Sequence, residues 1–257
     1  MNGSHGFTHR HLHVHGTSAV HRLAPEAKLA GLFGFVVLVA LTPRTGVVVF
    51  AVHAATVLLV AAAAALRARL VVRRLATVVP FVAFALALPF IGDGATTDVG
   101  PVALSTDGLW AAWNVLVKAL LGATAGIIVT ATTPIPDVLV GLGRLRVPTA
   151  IVGIIGFMFR YLDLIVADLG RMRRAMVARG HDPRWLWQAR PIASSAGVLF
   201  VRTYERGERV HGAMAARGFA GTMPALHTTT DASARDWVLA LLPAGLAATA
   251  LAAGVLA

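Results

Sequence analysis

Thr45–Leu66 reads TGVVVFAVHAATVLLVAAAAAL, twenty-two residues without an acid, a Lys or an Arg, fenced by Arg44 on one side and Arg67 on the other. As a helix rising about 1.5 Å per residue it reaches about 30 Å, the thickness of bilayer hydrocarbon. It predicts a transmembrane helix, and the rest of the chain follows suit. Leu75–Gly92 and Trp237–Ala257 are similar apolar runs, Leu29–Pro43 is shorter and extendable if Lys28 snorkels, and Gly108–Pro136 is interrupted only by Lys118. The expectation is an all-α membrane protein with about five transmembrane helices, the last at the C-terminal end. Composition agrees: of 257 residues 57% are hydrophobic and 14% charged, against about 25% charged in soluble domains. The mean hydropathy is +0.73.

The formal charge of +11 comes from 21 Arg and 2 Lys against 12 acids. Spread over a polar surface it would suggest nucleic acid, but the basic residues sit in short clusters between apolar runs, as they do in cytoplasmic loops of membrane proteins. A lipid bilayer is therefore the expected surrounding, and nucleic acid is not an expected partner. Arg67, Arg69, Arg73 and Arg74 join the second and third runs, and Arg144 and Arg146 follow the fourth, so these ends are expected to be cytoplasmic. The opposite ends carry Arg44 in one loop and Asp93, Asp98 and Asp107 in the other. The N-terminus then faces the cytoplasm and the C-terminus the outside of the plasma membrane. The predicted organisation is a polar His-rich tail over 1–28, a membrane domain of four spans over 29–136, a cytoplasmic region over 137–236 and a last transmembrane helix over 237–257. No small-residue cleavage site is evident behind the first apolar run, so no cleavable signal is expected. The absence of cysteine excludes disulfides, thiolate metal sites and cysteine nucleophiles.

Inside the fourth run Lys118 is a functional candidate by default, because a charge at that depth is costly; the plainer reading is a lysine that snorkels or pairs with a neighbouring helix. The Gly122-x-x-x-Gly126 spacing beside it permits close helix packing.

The cytoplasmic region carries the most specific pattern. Val147–Arg179 has no Pro after Pro148 and reads as one long helix or two joined. In its second half Leu162, Ile165, Val166, Leu169, Met172 and Met176 recur at three- and four-residue steps, opposite Arg160, Asp163, Arg171 and Arg174. Such a helix lies along a membrane surface or packs on a partner. It closes in Ala175-Met176-Val177-Ala178-Arg179-Gly180. The same ending returns 38 residues later as Ala213-Met214-Ala215-Ala216-Arg217-Gly218, identical at five of six positions and closing a second helix from about Pro191. Helix capping accounts for each Arg-Gly singly, at roughly 0.3–1 kcal/mol, but does not require Ala-Met before both. Two like endings on one chain suit a partner that offers two like sites, such as a dimer of related subunits.

With Arg22-Leu23-Ala24-Pro25-Glu26-Ala27-Lys28 before the first span, Val147-Pro148 through Phe159-Arg160-Tyr161, and both Ala-Arg-Gly endings, residues 20–257 resemble the transmembrane T component of energy-coupling factor (ECF) transporters, in particular the cobalt/nickel type called CbiQ. The resemblance implies a non-catalytic coupling subunit that joins two ATP-hydrolysing subunits to a separate substrate-binding membrane subunit. It implies that Ala178, Arg179 and Gly180 dock in one ATPase, and Ala216, Arg217 and Gly218 in the other. It also implies that a substrate metal is held by the separate subunit, and that no cofactor resides in this chain. No G-x-x-x-x-G-K-[ST] phosphate loop occurs, so ATP hydrolysis must come from the partner.

Six of ten histidines fall in the first 21 residues. Imidazole suits Ni, Co and Zn, which makes His5, His9, His11, His13 and His15 candidates for weak metal binding, although no carboxylate or thiolate ligand accompanies them. Two rival classes remain at this point. A membrane metalloenzyme would need a compact ligand set around these histidines and His53, and a self-sufficient metal permease would need Lys118 and His53 to line a path.

Overall fold

The computed structural model describes residues 16, 18–91, 96–99, 102–181, 190–219, 221 and 232–256. It is an all-α membrane protein with one small hairpin. The helices are α1 Ala19–Arg22, α2 Pro25–Leu41, α3 Val47–Ala63, α4 Ala68–Arg74, α5 Val79–Ile91, α6 Thr106–Thr132, α7 Ile135–Arg144, α8 Thr149–Ala178, α9 Arg190–Ala215 and α10 Ala234–Leu256. A 3₁₀ turn, Leu75–Val78, makes α4 and α5 nearly continuous. The strands β1 Thr96–Val99 and β2 Val102–Ser105 pair antiparallel, Thr96 opposite Ser105.

Local chemistry sets the boundaries. Pro25 occupies the first turn of α2, where its missing N–H costs nothing, and Thr42-Pro43 stops the helix, with Thr42 Oγ1 donating back to the Leu38 carbonyl at 3.0 Å. Ser105 caps α6 by accepting from the Gly108 N–H at 3.2 Å. At the start of α10, Ser233 and Asp236 form a reciprocal capping box: Asp236 N–H donates to Ser233 Oγ at 3.2 Å, and Ser233 N–H to Asp236 Oδ2 at 3.0 Å.

The described residues divide into two compact units, one built from α1–α7, the hairpin and α10, the other from α8 and α9. In the first unit α2 is central and packs against α10, α6 and α7. Phe35, Val39, Phe50, Val57, Leu121, Ile128 and Ala247 form its core. The most enclosed larger side chains are polar, His53, Thr42 and Thr132, while Phe33, Phe90 and Ile91 are 73%, 68% and 74% exposed. Large apolar side chains exposed on the outside of an apolar core are what lipid favours. Among the described residues four helices are long and apolar enough to cross a membrane, Ala68–Ile91, Thr106–Thr132, Thr149–Ala178 and Ala234–Gly254, with Val47–Ala63 shorter.

Three details could not be read from the apolar runs. Lys28 does not snorkel. It is buried, and its ammonium donates to the His21 carbonyl at 3.1 Å, the Thr132 carbonyl at 3.3 Å and Thr133 Oγ1 at 3.2 Å. The lysine thereby satisfies helix-end carbonyls of α1 and α6, and α2 starts at Pro25 rather than at Leu29. The fourth run ends at Thr132, and the division expected between 136 and 137 falls inside the structured helix α7. Helix α7 groups with the first compact unit, whose limit in sequence is Leu145/Arg146. The reason is an ion pair that belongs to the first unit: Glu26, 4% exposed, accepts from Arg144 Nη1 at 2.8 Å and from the Ala232 N–H at 3.1 Å, holding α7 and the lead-in to α10 on α2. Helix α8, placed by the sequence in the cytoplasmic region, contains one stretch that is long and apolar enough to count among the spanning candidates by length and composition.

Candidate functional site

Helices α8 and α9 end in the same backbone construction. At the first end Gly180 has φ +77°, its N–H bonds the Val177 carbonyl at 2.9 Å, and the His181 N–H reaches the Met176 carbonyl at 3.0 Å. At the second, Gly218 has φ +80°, its N–H bonds the Ala215 carbonyl at 3.0 Å, and the Phe219 N–H reaches the Met214 carbonyl at 3.0 Å. Both are Schellman closures, matched bond for bond at the 38-residue offset, and the positive φ explains why Gly stands at each. Capping does not explain the neighbours. Arg179 and Arg217 occupy the same cap position, both are exposed with the Ala and Gly beside them, and among the described residues neither guanidinium has an ion-pair partner. Each tip thus offers a planar fork of donors on a small-residue shoulder, suited to a carboxylate or a row of helix-end carbonyls on another surface. The structure brings Ala178, Arg179 and Gly180 together as one tip and Ala216, Arg217 and Gly218 as the other.

The remaining candidates resolve differently. Lys118 Nζ donates to the Ala40 carbonyl at 2.7 Å, in the last turn of α2, so the charge sits on a helix C-terminus where cations are favoured. His53 is fully buried; its Nε2 lies 3.1 Å from Thr42 Oγ1, and the Phe35 and Phe50 rings stand edge-on to it. It is a core histidine with a hydroxyl partner. Among the described residues no group of three or more His, Asp or Glu is placed to hold a metal ion. His5, His9, His11, His13 and His15 lie outside the described residues. Gly122 and Gly126 receive no packed helix: nothing stands within 4 Å of a Cβ at either, and they floor an open apolar groove of about 640 Å³ with Gly34, Phe33 and Leu142.

Two buried acids take roles that the sequence did not assign. Glu26 is the buried ion-pair acceptor described above. Asp168, in α8, is buried between Arg171 of its own helix and Arg206 of α9, whose Nη1 lies 3.6 Å from Asp168 Oδ2. An acid three positions before an Arg, at the edge of an apolar stripe, was the available signal.

The family model described as CbiQ, cobalt transport protein, matches residues 16–228 of the chain. The chain belongs to the CbiQ family. The cobalt transport protein CbiQ of Rhodobacter capsulatus is 33% identical over 177 residues, 66% of this chain and 71% of that protein. A putative fused cobalt transport protein CbiMQ of Methanocorpusculum labreanum is 28% identical over 120 residues, 47% of this chain but only 20% of that longer protein. The expected resemblance therefore holds, and the chain is a multi-pass membrane component of a cobalt transport system. The CbiQ match includes both Arg-Gly tips, whereas His5–His15 precede it and α10 follows it.

Proposed function

We propose that this CbiQ-family chain is the transmembrane coupling subunit of an ECF-type ABC importer for cobalt or nickel ions. Its α8 and α9 tips each dock on one of two ATP-hydrolysing subunits, and the helices transmit ATP-driven closure to a separate substrate-binding membrane subunit. The observation that carries the reading is the pair of matched Schellman endings with an exposed Arg at the same cap position: two equal plugs suit two equal sockets. The fused relative, whose name joins CbiM and CbiQ in one protein, supports a partner protein close at hand. Affinity purification from the native host tests the assembly. The expected result is two ATP-binding subunits per chain, together with a second membrane protein; a chain that purifies alone and carries metal into vesicles without ATP is instead a permease.

The orientation proposed is N-terminus inside and C-terminus outside. An ion pair of 3.0 Å between Arg44 and Asp107 ties the α2–α3 loop to the start of α6, which supports placing both on one side of the membrane. Because the chain has no cysteine, a Cys at position 98 is expected to react with an impermeant thiol reagent on intact cells, and one at position 182 only after permeabilisation. The reverse pattern overturns the topology.

The His-rich tail is proposed to be dispensable for assembly. The structure sets the limit of the deletion, because Ser18 Oγ caps α1 by accepting from the His21 N–H at 3.4 Å. Removing residues 1–15 is expected to leave the complex and its ATP hydrolysis intact and metal uptake within about twofold. Uptake abolished in an intact, hydrolysing complex assigns the tail a direct part in handling the metal.

A further inference from the structure

Asp168 has no place in tip docking, yet it is the one buried side chain of α8. Its carboxylate is 10% exposed and is shared between Arg171 and Arg206, whose side chains are 58% and 35% exposed. Eight residues further along, Ser195 Oγ of α9 approaches Met176 Sδ of α8 at 3.5 Å. As α8 advances from 168 to 176, its partner in α9 recedes from 206 to 195, so the two helices run antiparallel through these contacts.

The placement of the ion pair follows the duplication. Asp168 lies eleven positions before Arg179, and Arg206 lies eleven positions before Arg217, the same 38-residue offset that relates the two endings. At about 1.5 Å per residue each tip stands about 16 Å from the pair, in opposite directions along an antiparallel crossing. A buried ion pair between two helices contributes little net stability compared with apolar packing, because desolvation offsets the Coulomb gain; what it can supply is a fixed register. Register is what a two-armed lever needs at its centre, since sliding one helix past the other by a single turn moves one tip relative to the other by about 5 Å.

We propose that Asp168, with Arg206, is a positioning residue: the central pin that fixes the crossing of α8 and α9 and so holds the two tips at a set separation. This deepens the coupling function proposed above and rests on it for its consequence in transport, but the separation itself can be read without any ATPase.

The test uses the full chain in lipid nanodiscs, spin-labelled at Ala175→Cys and Ala213→Cys, exposed and equivalent positions one turn short of the two tips, with distances measured by pulsed electron paramagnetic resonance. The native pair is expected to give one narrow distribution. Asp168→Asn is expected to broaden it or split it by about one helical turn. Asp168→Met with Arg206→Met, which replaces the pair by apolar contacts, is expected to leave thermal stability unchanged or raised while the distribution stays broad, an outcome that a merely stabilising pair does not produce. In the assembled transporter both variants are expected to retain both ATPases and to lose about tenfold in metal moved per ATP hydrolysed. A narrow, unshifted distribution in both variants overturns the pin. Broadening in a chain that binds no ATPase in any form leaves the pin standing and refutes the docking reading instead.

Discussion

Arg179→Ala combined with Arg217→Ala is expected to release the ATP-binding subunits almost completely while the chain still inserts and folds. The magnitude decides between two explanations of the same motif. An Arg that only complements a helix C-terminus contributes below about 1 kcal/mol, less than a tenfold change in any equilibrium. An Arg buried at an interface in charge-assisted contacts costs on the order of 2–5 kcal/mol when truncated, roughly thirty-fold or more. Each single substitution leaves the other tip engaged, so the complex is expected to survive with faster ATPase exchange and uptake partly uncoupled from hydrolysis. The double substitution removes the avidity of two sites on one scaffold, and the loss is then far greater than either single effect. Arg173→Ala, exposed on α8 one and a half turns before the tip, is the matched control and is expected to behave as wild type in pull-down and transport. Retention of stoichiometric ATPase by the double variant reduces the duplicated Ala-Arg-Gly to helix punctuation.

The second large effect is expected at Gly31, in the membrane unit. A Cβ there collides with the backbone carbonyl of Ala240 in α10, and a carbonyl oxygen cannot rotate away as a side chain does. Helices α2 and α10 make the most extensive contact in the structure, with Ala24, Ala27 and Ala240 buried where they meet. Gly31→Ala must therefore push two backbones apart, at a cost of about 1–3 kcal/mol, and Gly31→Leu is expected to prevent the pairing and abolish accumulation of the chain in the membrane. Gly122→Ala, with nothing within 4 Å of its Cβ, is expected to change stability by less than about 0.5 kcal/mol. Detergent-solubilised thermal unfolding and membrane abundance read both; equal effects at Gly31 and Gly122 contradict the packing described here.

These two glycines show where sequence reading reaches its limit. Gly122-x-x-x-Gly126 has the recognised spacing but faces an open groove, whereas the weaker Ala27-x-x-x-Gly31 spacing is the one that meets a helix, at the Ala240 carbonyl. Apolar length in sequence reports that a helix meets lipid, not which face meets another helix. The endings at Gly180 and Gly218 were legible because a left-handed cap is a local event, set by the residue itself and its immediate neighbours. Lys28, Lys118 and Glu26 were legible as anomalies only. Each is charged near or within an apolar run, but their partners, Thr132 and Thr133, Ala40, and Arg144 with the Ala232 N–H, lie 78 to 206 positions away. Asp168 was hidden for a related reason. Its side chain sits at the edge of the stripe formed by Ile165, Met172 and Met176, and only the presence of α9 makes that edge an interior.

The central claim, that the two Arg-Gly tips of this CbiQ-family protein seat in two ATP-binding subunits, is tested most directly by placing a photo-cross-linking amino acid at 179 and, separately, at 217 in the transporter purified from its host, and identifying what each captures by mass spectrometry. Both positions are expected to capture the ATP-binding subunit, at the same groove of its surface, while the same probe at 173 does not. Capture of only lipid or of this chain's own residues from both tips, in a preparation where the ATP-binding subunit is present at full stoichiometry, contradicts it.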